Sequence, residues 1–154
     1  MNAYRSRPNR IPWPPILLVM SAIAAFGLGQ VYPLPASFAF SPLLGALCLA
    51  AALGLDIWAM KTLHDGKTTI LPNRGSSHLV TGGPFRFSRN PIYVANVVLL
   101  VGAGLASGNG WFLALAPVAA ILTEILAIRR EENHLVALFG YTYEVYRRKV
   151  RRWI

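Results

Sequence analysis

Two long stretches of this chain carry no charged side chain, and they set its architecture. The first runs from residue 11 to 55 and the second from residue 90 to 123. A helix that crosses a membrane needs about 20 apolar residues, within a range of about 17–25. Each stretch is therefore long enough for two spans and a turn. The first turn holds three prolines, in QVYPLPASFAFSP, and the second is the Gly/Asn signal SGNGW.

This pattern predicts an all-α integral membrane protein with about four transmembrane helices and a C-terminal amphipathic helical segment. We expect one domain, residues 1–154, with spans near residues 15–30, 37–60, 91–107 and 111–128. A loop, 61–90, joins the second and third spans, and the amphipathic segment is 129–154. Because further apolar stretches follow it, the first span is expected to be retained and not cleaved as a signal peptide.

The basic residues predict the orientation. All fifteen Lys and Arg residues lie in the N-terminal tail, between Lys61 and Arg89, or from Arg129 onward. Basic loops favour the cytoplasmic side of a membrane. Both termini and the central loop are therefore expected in the cytoplasm, which agrees with an even number of spans.

Composition supports a membrane protein and weighs against a nucleic-acid partner. The chain is 55% hydrophobic and 14% charged, whereas a soluble domain carries roughly 25% charged residues. Its net charge is +9, and the basic residues lie beside apolar stretches. The expected partners are therefore membrane lipids, and no nucleic acid is expected.

The single cysteine, Cys48, cannot form an internal disulfide. The histidines lack ligand spacing, so no metal site is predicted.

The C-terminal segment REENHLVALFGYTYEVYRRKVRRWI predicts one or two amphipathic helices. Gly140 is expected to break or cap the helix. Apolar positions recur at helical spacing on both sides of it: Leu135, Leu138, Phe139, Tyr143, Tyr146 and Val150. The basic end, from Arg147 to Arg152, with Trp153 and Ile154, suits anionic lipid head groups.

A first candidate site lies in FRFSRNPIYV, which holds Arg86, Arg89, Asn90 and Tyr93. Asn90-Pro91 predicts the start of the third span, with Asn90 as a candidate N-cap. A helix N-terminus favours anions, and Arg89 adds a fork-shaped receptor for a carboxylate or phosphate. The alternative is a helix cap with a lipid-phosphate anchor, and spacing alone favours that reading slightly.

Acidic and aromatic side chains near the same boundary form further groups. Glu131 and Glu132 can have a structural role, either by pairing with Arg129 and Arg130 or by starting a helix. They can also bind a ligand, either by accepting hydrogen bonds from a ribose diol or by balancing a cation. A cluster of tyrosines can belong to an interfacial belt or stack on a purine or a cation: Tyr141, Tyr143 and Tyr146. Acids inside a membrane are costly, so two within the predicted spans are candidates for function or for pairing with arginine: Asp56 and Glu124.

Two motifs together resemble a known superfamily. TGGPFRFSRNPIYVAN and REENHLVALFGYTYEVYRRKVRRW are similar to the isoprenylcysteine carboxyl methyltransferase and phospholipid methyltransferase superfamily of integral membrane enzymes. The chain matches its first pattern, G-P-[FY]-x-x-x-R-[HN]-P-x-Y, and after two apolar helices its second, E-E-x-x-L-x-x-x-F-G-x-x-Y-x-x-Y-x-x-x-V. The lead-in TTILPNRGSSHLV looks like that of short bacterial members.

The resemblance implies a methyltransferase that uses S-adenosylmethionine on a lipophilic small molecule or lipid-modified substrate. It implies an active site on the cytoplasmic side of a bacterial inner membrane, with the cofactor covered by the C-terminal segment. The implied cofactor wall is Arg89, Asn90, Tyr93, Glu131, Glu132, Tyr143 and Tyr146. Arg89 suits the methionine carboxylate, Glu132 the ribose or ammonium, and a tyrosine the adenine or sulfonium. The candidate catalytic residues are Glu124, Arg129 and Arg130.

The chain departs from eukaryotic members at two positions. Asn90 stands where they have His, and it cannot titrate near pH 7. Ala127 lies near the position of an Arg thought to meet the substrate, which weighs against a prenylcysteine carboxylate. The alternatives are a phospholipid amine N-methyltransferase, a non-catalytic lipid-binding or scaffold protein, and a reductase similar to the sterol reductases.

Overall fold

A computed structural model describes residues 11–67 and 78–154. In these ranges the helices are α1 Trp13–Val31, α2 Ser41–Asp65, α3 Pro91–Ser107, α4 Gly110–Thr123, α5 Arg129–Phe139 and α6 Tyr141–Lys149. A single 3-10 turn, Gly83–Arg86, precedes α3, and a π-helical segment, Glu124–Ile128, joins α4 to α5. The basic N-terminal tail and the TTIL part of the central loop lie outside the described residues.

The helices follow the predicted pattern with shifted ends. α3 has the predicted bounds, and α1 lies close to them. α2 begins at Ser41 and ends at Asp65, so the segment predicted as a loop from residue 61 begins with helix. The helix that contains the fourth predicted span continues past Ile128, through the π segment, to Phe139. Its next residues, RREEN, contain no helix breaker and include good helix formers.

The described helices have the length and surface of a membrane protein. α1, α2 and the continuous helix Gly110–Phe139 are long and apolar enough to cross a membrane. α3 is apolar but has 17 residues. Large apolar side chains are exposed along the bundle, including Phe26 at 62%, Ile57 at 62% and Ile121 at 60%. A bundle whose surroundings are lipid exposes such side chains, so this is an all-helical membrane protein in its described part.

Small residues let the helices approach closely. α3 packs between α2 and α4, and α1 packs on α4. A Cβ placed at Gly102 would stand 3.0 Å from the backbone nitrogen of Leu49. Gly45 meets the backbone of Ala106 in the same antiparallel contact. Close contact through Gly and Ala is how helices associate in lipid, where apolar burial gives no driving force.

The two hairpin turns meet at one end of the bundle. Gly110 N donates to Leu34 O at 2.7 Å, and Ala36 N donates to Gly108 O at 2.9 Å. Gly108 has a φ of +67°, a left-handed conformation that glycine adopts readily. Asn109 caps α4, since its side-chain oxygen accepts from Trp111 N at 3.0 Å. The predicted SGNGW turn is confirmed, and both predicted turns lie on the same side.

Gly45→Ala is expected to lower the stability of the α2–α3 contact. A Cβ at position 45 would collide with the backbone nitrogen of Ala106, and overpacking of this kind costs about 1–3 kcal/mol. A Cβ at Gly54, on the same helix, meets nothing within 4 Å, so Gly54→Ala is the matched control. Thermal unfolding in detergent should show a lower melting temperature for Gly45→Ala alone. Equal melting temperatures would contradict the close packing.

Candidate functional site

The two sequence motifs meet at the end of the bundle opposite the hairpin turns. Arg89 precedes α3 and Glu132 lies on α5, and Nη2 of the arginine stands 3.2 Å from Oε1 of the glutamate. Both side chains are only 9% exposed. The Tyr93 hydroxyl donates to Glu131 Oε1 at 2.6 Å. Neighbouring glutamates on α5 are therefore both tied to the start of α3.

The π segment directly precedes these glutamates. Glu124–Ile128 forms one π-helical turn inside an otherwise continuous helix. Such a turn inserts an extra residue, which changes the faces that the following helix presents, and π segments are frequent at functional sites. Glu124 begins this turn, and Glu131 and Glu132 follow it within the first turn of α5.

The residues after α6 form a C-terminal strap, Arg151–Ile154, across the site. Arg152 holds both oxygens of Glu132, with Nε at 3.0 Å and Nη2 at 2.8 Å. Its Nη1 donates to Glu124 Oε1 at 2.7 Å. Trp153 Nε1 donates to the other oxygen of Glu124 at 3.1 Å. Arg152 therefore bridges the carboxylate that begins the π segment and a carboxylate in the first turn of the helix after it.

The strap is also held through its backbone. Arg89 N donates to Arg151 O at 3.0 Å, and Asn90 Nδ2 donates to Arg152 O at 2.9 Å. Asn90 occupies the N-cap position of α3, but its side chain makes no capping bond. The expected side-chain cap is therefore wrong, because the amide group bonds the strap instead. Ser88 supports this arrangement, since its hydroxyl contacts Arg152 O at 3.4 Å.

Two tyrosines of α6 complete the wall. Tyr143 is 1% exposed and Tyr146 is 9% exposed, and their ring centres are 6.0 Å apart. The Tyr146 hydroxyl donates to Phe85 O at 2.7 Å, which joins α6 to the 3-10 turn. Burial, helped by the charge of Glu132, raises the pKa of Tyr143 to about 12. Burial also raises the pKa of Tyr146, so both phenols keep their protons near neutral pH.

The structure separates the three candidate catalytic residues. Glu124 is joined to the other charged side chains of the site through its hydrogen bonds with Arg152 and Trp153. Arg129 is 61% exposed and approaches Glu124 at 3.5 Å. Arg130 is exposed. Arg86 is also exposed, and Tyr141, at 78% exposure, does not share the wall of its two neighbours.

Sequence reasoning did not assign Arg152 and Trp153 to the site. It placed them with lipid head groups, because a basic, aromatic end of an amphipathic segment is typical of a membrane surface. Their partner Glu124 lies 28 and 29 residues earlier in the chain. No local spacing connects residues so far apart. The sequence held one weak signal for such a partner: two adjacent glutamates and a third inside an apolar stretch require cationic side chains nearby.

Arg89 retains donors that its described neighbours do not use. Its Nε and Nη1 are buried and have no hydrogen-bond partner within residues 11–67 and 78–154. A buried donor without a partner costs about 1–3 kcal/mol, and a guanidinium fork matches a carboxylate or phosphate. The same described ranges hold no group of three or more His, Cys, Asp or Glu side chains that could bind a metal.

Fold and site together define a helical membrane protein with a buried charged wall at one end of its bundle. Residues 40–142 match the phospholipid methyltransferase family, and the chain belongs to that family. The superfamily resemblance of the two motifs is thereby confirmed.

Two named relatives support the same superfamily. The chain is 33% identical over 111 residues to the protein-S-isoprenylcysteine O-methyltransferase of Schizosaccharomyces pombe, covering 70% of this chain and 45% of that protein. It is 32% identical over 81 residues to the nickel-cobalt-cadmium resistance protein NccN of Alcaligenes xylosoxydans xylosoxydans, covering 51% of this chain and 37% of that protein. The chain thus spans less than half the length of each of these relatives.

Proposed function

We propose that this chain is an integral membrane methyltransferase that uses S-adenosylmethionine on a lipophilic acceptor. The ion pair between Arg89 and Glu132, at 3.2 Å, carries the proposal. It joins the two motif halves into one buried wall at the end of the apolar bundle. Membership of the phospholipid methyltransferase family and the likeness to an isoprenylcysteine O-methyltransferase support the reaction class.

The side chains of this wall fit the proposed cofactor. Either unpartnered donor of Arg89, Nε or Nη1, can give a hydrogen bond to the carboxylate of the methionine part. Tyr143 and Tyr146 supply buried aromatic surface for the adenine or the sulfonium. When bound, S-adenosylmethionine supplies a methyl group already activated by sulfonium. The protein then has to align the acceptor and keep water away.

Glu132 acts in this proposal through Arg89. Both of its oxygens accept from Arg152, and one also faces Arg89. It therefore fixes the arginine that would receive the cofactor carboxylate. A direct contact of Glu132 with the ribose or ammonium would require it to release Arg152.

The same network bears on the acceptor. Glu124 accepts from Arg152 and Trp153 through its two oxygens, so it is poorly placed to take a proton from an acceptor. The Tyr143 pKa of about 12 keeps that phenol neutral, because a base near pH 7 needs a pKa near 7. These two groups favour an acceptor that needs no strong base, such as a carboxylate or thiolate, whereas an amine acceptor would require Glu131, whose Oε1 accepts from the Tyr93 hydroxyl, as the base. The exposed Arg129 and Arg130 would attract such an anion.

The meeting of the hairpin turns supports the proposed topology. We infer four spans, with α3 as the short one, both termini on the cytoplasmic side of a bacterial inner membrane, and the active site on that side. Gly110 N to Leu34 O fixes the two turns at the end opposite the charged wall. The basic residues that the structure describes, between Lys61 and Arg152, belong to the end of the bundle with that wall, as the positive-inside rule requires.

Thermal unfolding of the purified protein with millimolar S-adenosylmethionine or its demethylated product tests the proposal. Both compounds should raise the melting temperature, because they bind the folded state. Arg89→Ala and Glu132→Ala should each abolish the rise, whereas Arg148→Ala, an exposed arginine of α6, should preserve it. No rise in the wild-type protein would favour a non-catalytic membrane protein.

A methyl-labelled cofactor identifies the acceptor. Membranes that contain the protein are incubated with the labelled cofactor, and the label in the lipid, protein and volatile fractions is then counted. Label in a phospholipid amine would support the N-methyltransferase alternative. Label in a lipophilic carboxylate or thiol would support the proposed acceptor class.

A further inference from the structure

Asp56 on α2 is partly exposed, and one of its two carboxyl oxygens is buried. Its Oδ1 is buried and accepts no hydrogen bond from any described residue. On α2 it lies on the face of two buried residues, Ala52 at 1% exposure and Ala59 at 0%, which packs toward α3. Burying a polar group without a hydrogen bond is unfavourable. An acid within a membrane helix is by default a candidate for function.

The packing of α2 and α3 places Asp56 near the depth of the charged wall. Gly45 meets Ala106, and Gly102 meets Leu49, which fixes an antiparallel register. In this register Asp56 is level with Ala95. Ala95 lies two residues beyond Tyr93, or about 3 Å along the helix axis. Tyr93 in turn bonds Glu131 of the charged wall.

The part of α2 beyond Asp56 is covered by the 3-10 turn, and apolar side chains near Asp56 are exposed on the bundle surface. On the loop side, the 3-10 turn packs on α2, since a Cβ at Gly83 would stand 3.3 Å from Trp58 Nε1. On the bundle surface, Leu53 is 54% exposed and Ile57 is 62% exposed, and these residues flank Asp56 in the sequence. A lipophile lying against them can direct a polar head toward the carboxyl group.

We propose that Asp56 is the polar contact of a bilayer-accessible site on α2 and α3 for a lipophile with a hydroxyl or amino donor. An oxygen that lacks a donor selects a ligand that brings one, and the surrounding apolar side chains select a long hydrocarbon. The inference deepens the proposed function: that this lipophile is the methyl acceptor rests on that function, whereas its binding at Asp56 does not.

Carbodiimide labelling tests the site in phosphatidylcholine nanodiscs, which contain no primary amine. Dicyclohexylcarbodiimide is apolar and reacts with carboxyl groups that can be reached from the lipid. Mass spectrometry should find the label on Asp56. 1-Dodecanol should suppress the labelling, whereas dodecane should not. Asp56→Asn should lose the label, and Asp65→Asn, which removes an exposed acid of the same helix, should keep it.

Absence of label on Asp56, or equal protection by dodecane, would overturn the proposal. Asp56→Leu gives a second measurement. Removing an acid without a protein partner should leave the melting temperature unchanged or higher, and a lower one would show that Asp56 has a structural partner. Failure of the proposed function is separate, because it would abolish stabilisation by S-adenosylmethionine and leave protection by 1-dodecanol intact.

Discussion

Arg152→Gln is expected to be the most destabilising change in the C-terminal strap and to abolish stabilisation by S-adenosylmethionine. The guanidinium of Arg152 holds both oxygens of Glu132 and one oxygen of Glu124. Without it, Glu132, at 9% side-chain exposure, retains the single 3.2 Å contact with Arg89. Breaking a buried ion pair by removing one partner costs about 3–5 kcal/mol. We expect the lower end, because the Arg152 side chain is 32% exposed.

The neighbouring arginine supplies the control for this prediction. Arg151 is exposed and contributes its backbone carbonyl to Arg89 N, so Arg151→Gln should keep the wild-type melting temperature. Arg152→Lys keeps the charge but loses the fork, and it should lie between the two. Equal melting temperatures for Arg152→Gln and Arg151→Gln would show that the strap does not hold the site.

The sequence predicted the helices where a single physical signal decides them. A charge-free stretch of suitable length requires a helix in lipid, because every backbone group must be bonded internally. Asn90-Pro91 and SGNGW then mark both ends of α3 through local turn chemistry. The far ends of α2 and α4 were less predictable. There the chain passes from lipid to water within good helix formers, and no breaker marks a boundary.

The site was predictable where its residues share a motif and unpredictable where they meet through tertiary contacts. Arg89 and Glu132 follow from the two motif halves, and the structure brings them together at 3.2 Å. The strap was missed because Arg152 reaches Glu124 across 28 residues. The π segment was missed as well, since EILAI has no composition that distinguishes it from an α-helix.

The strap changes the interpretation of Asn90. Where eukaryotic members of the superfamily have His, this chain uses the amide nitrogen to hold Arg152 O at 2.9 Å. An amide does this without changing charge near pH 7, whereas a histidine there would titrate. Asn90 thus positions the strap that carries Arg152 to the glutamates.

Tyr93→Phe is expected to destabilise the protein strongly through Glu131. The phenol donates to Glu131 Oε1 at 2.6 Å, and a short bond to a carboxylate is worth about 1.5–3 kcal/mol. Its loss leaves the carboxylate beside Glu132 without this donor. In Glu131→Gln the same phenol bonds a neutral amide, so adding Tyr93→Phe should cost less there than in the wild-type protein. A double-mutant cycle on melting temperature and unfolding free energy measures the difference, with Tyr141→Phe, at 78% exposure, as the matched control. Additive effects of Tyr93→Phe and Glu131→Gln would contradict this bond, because two residues in direct contact should couple.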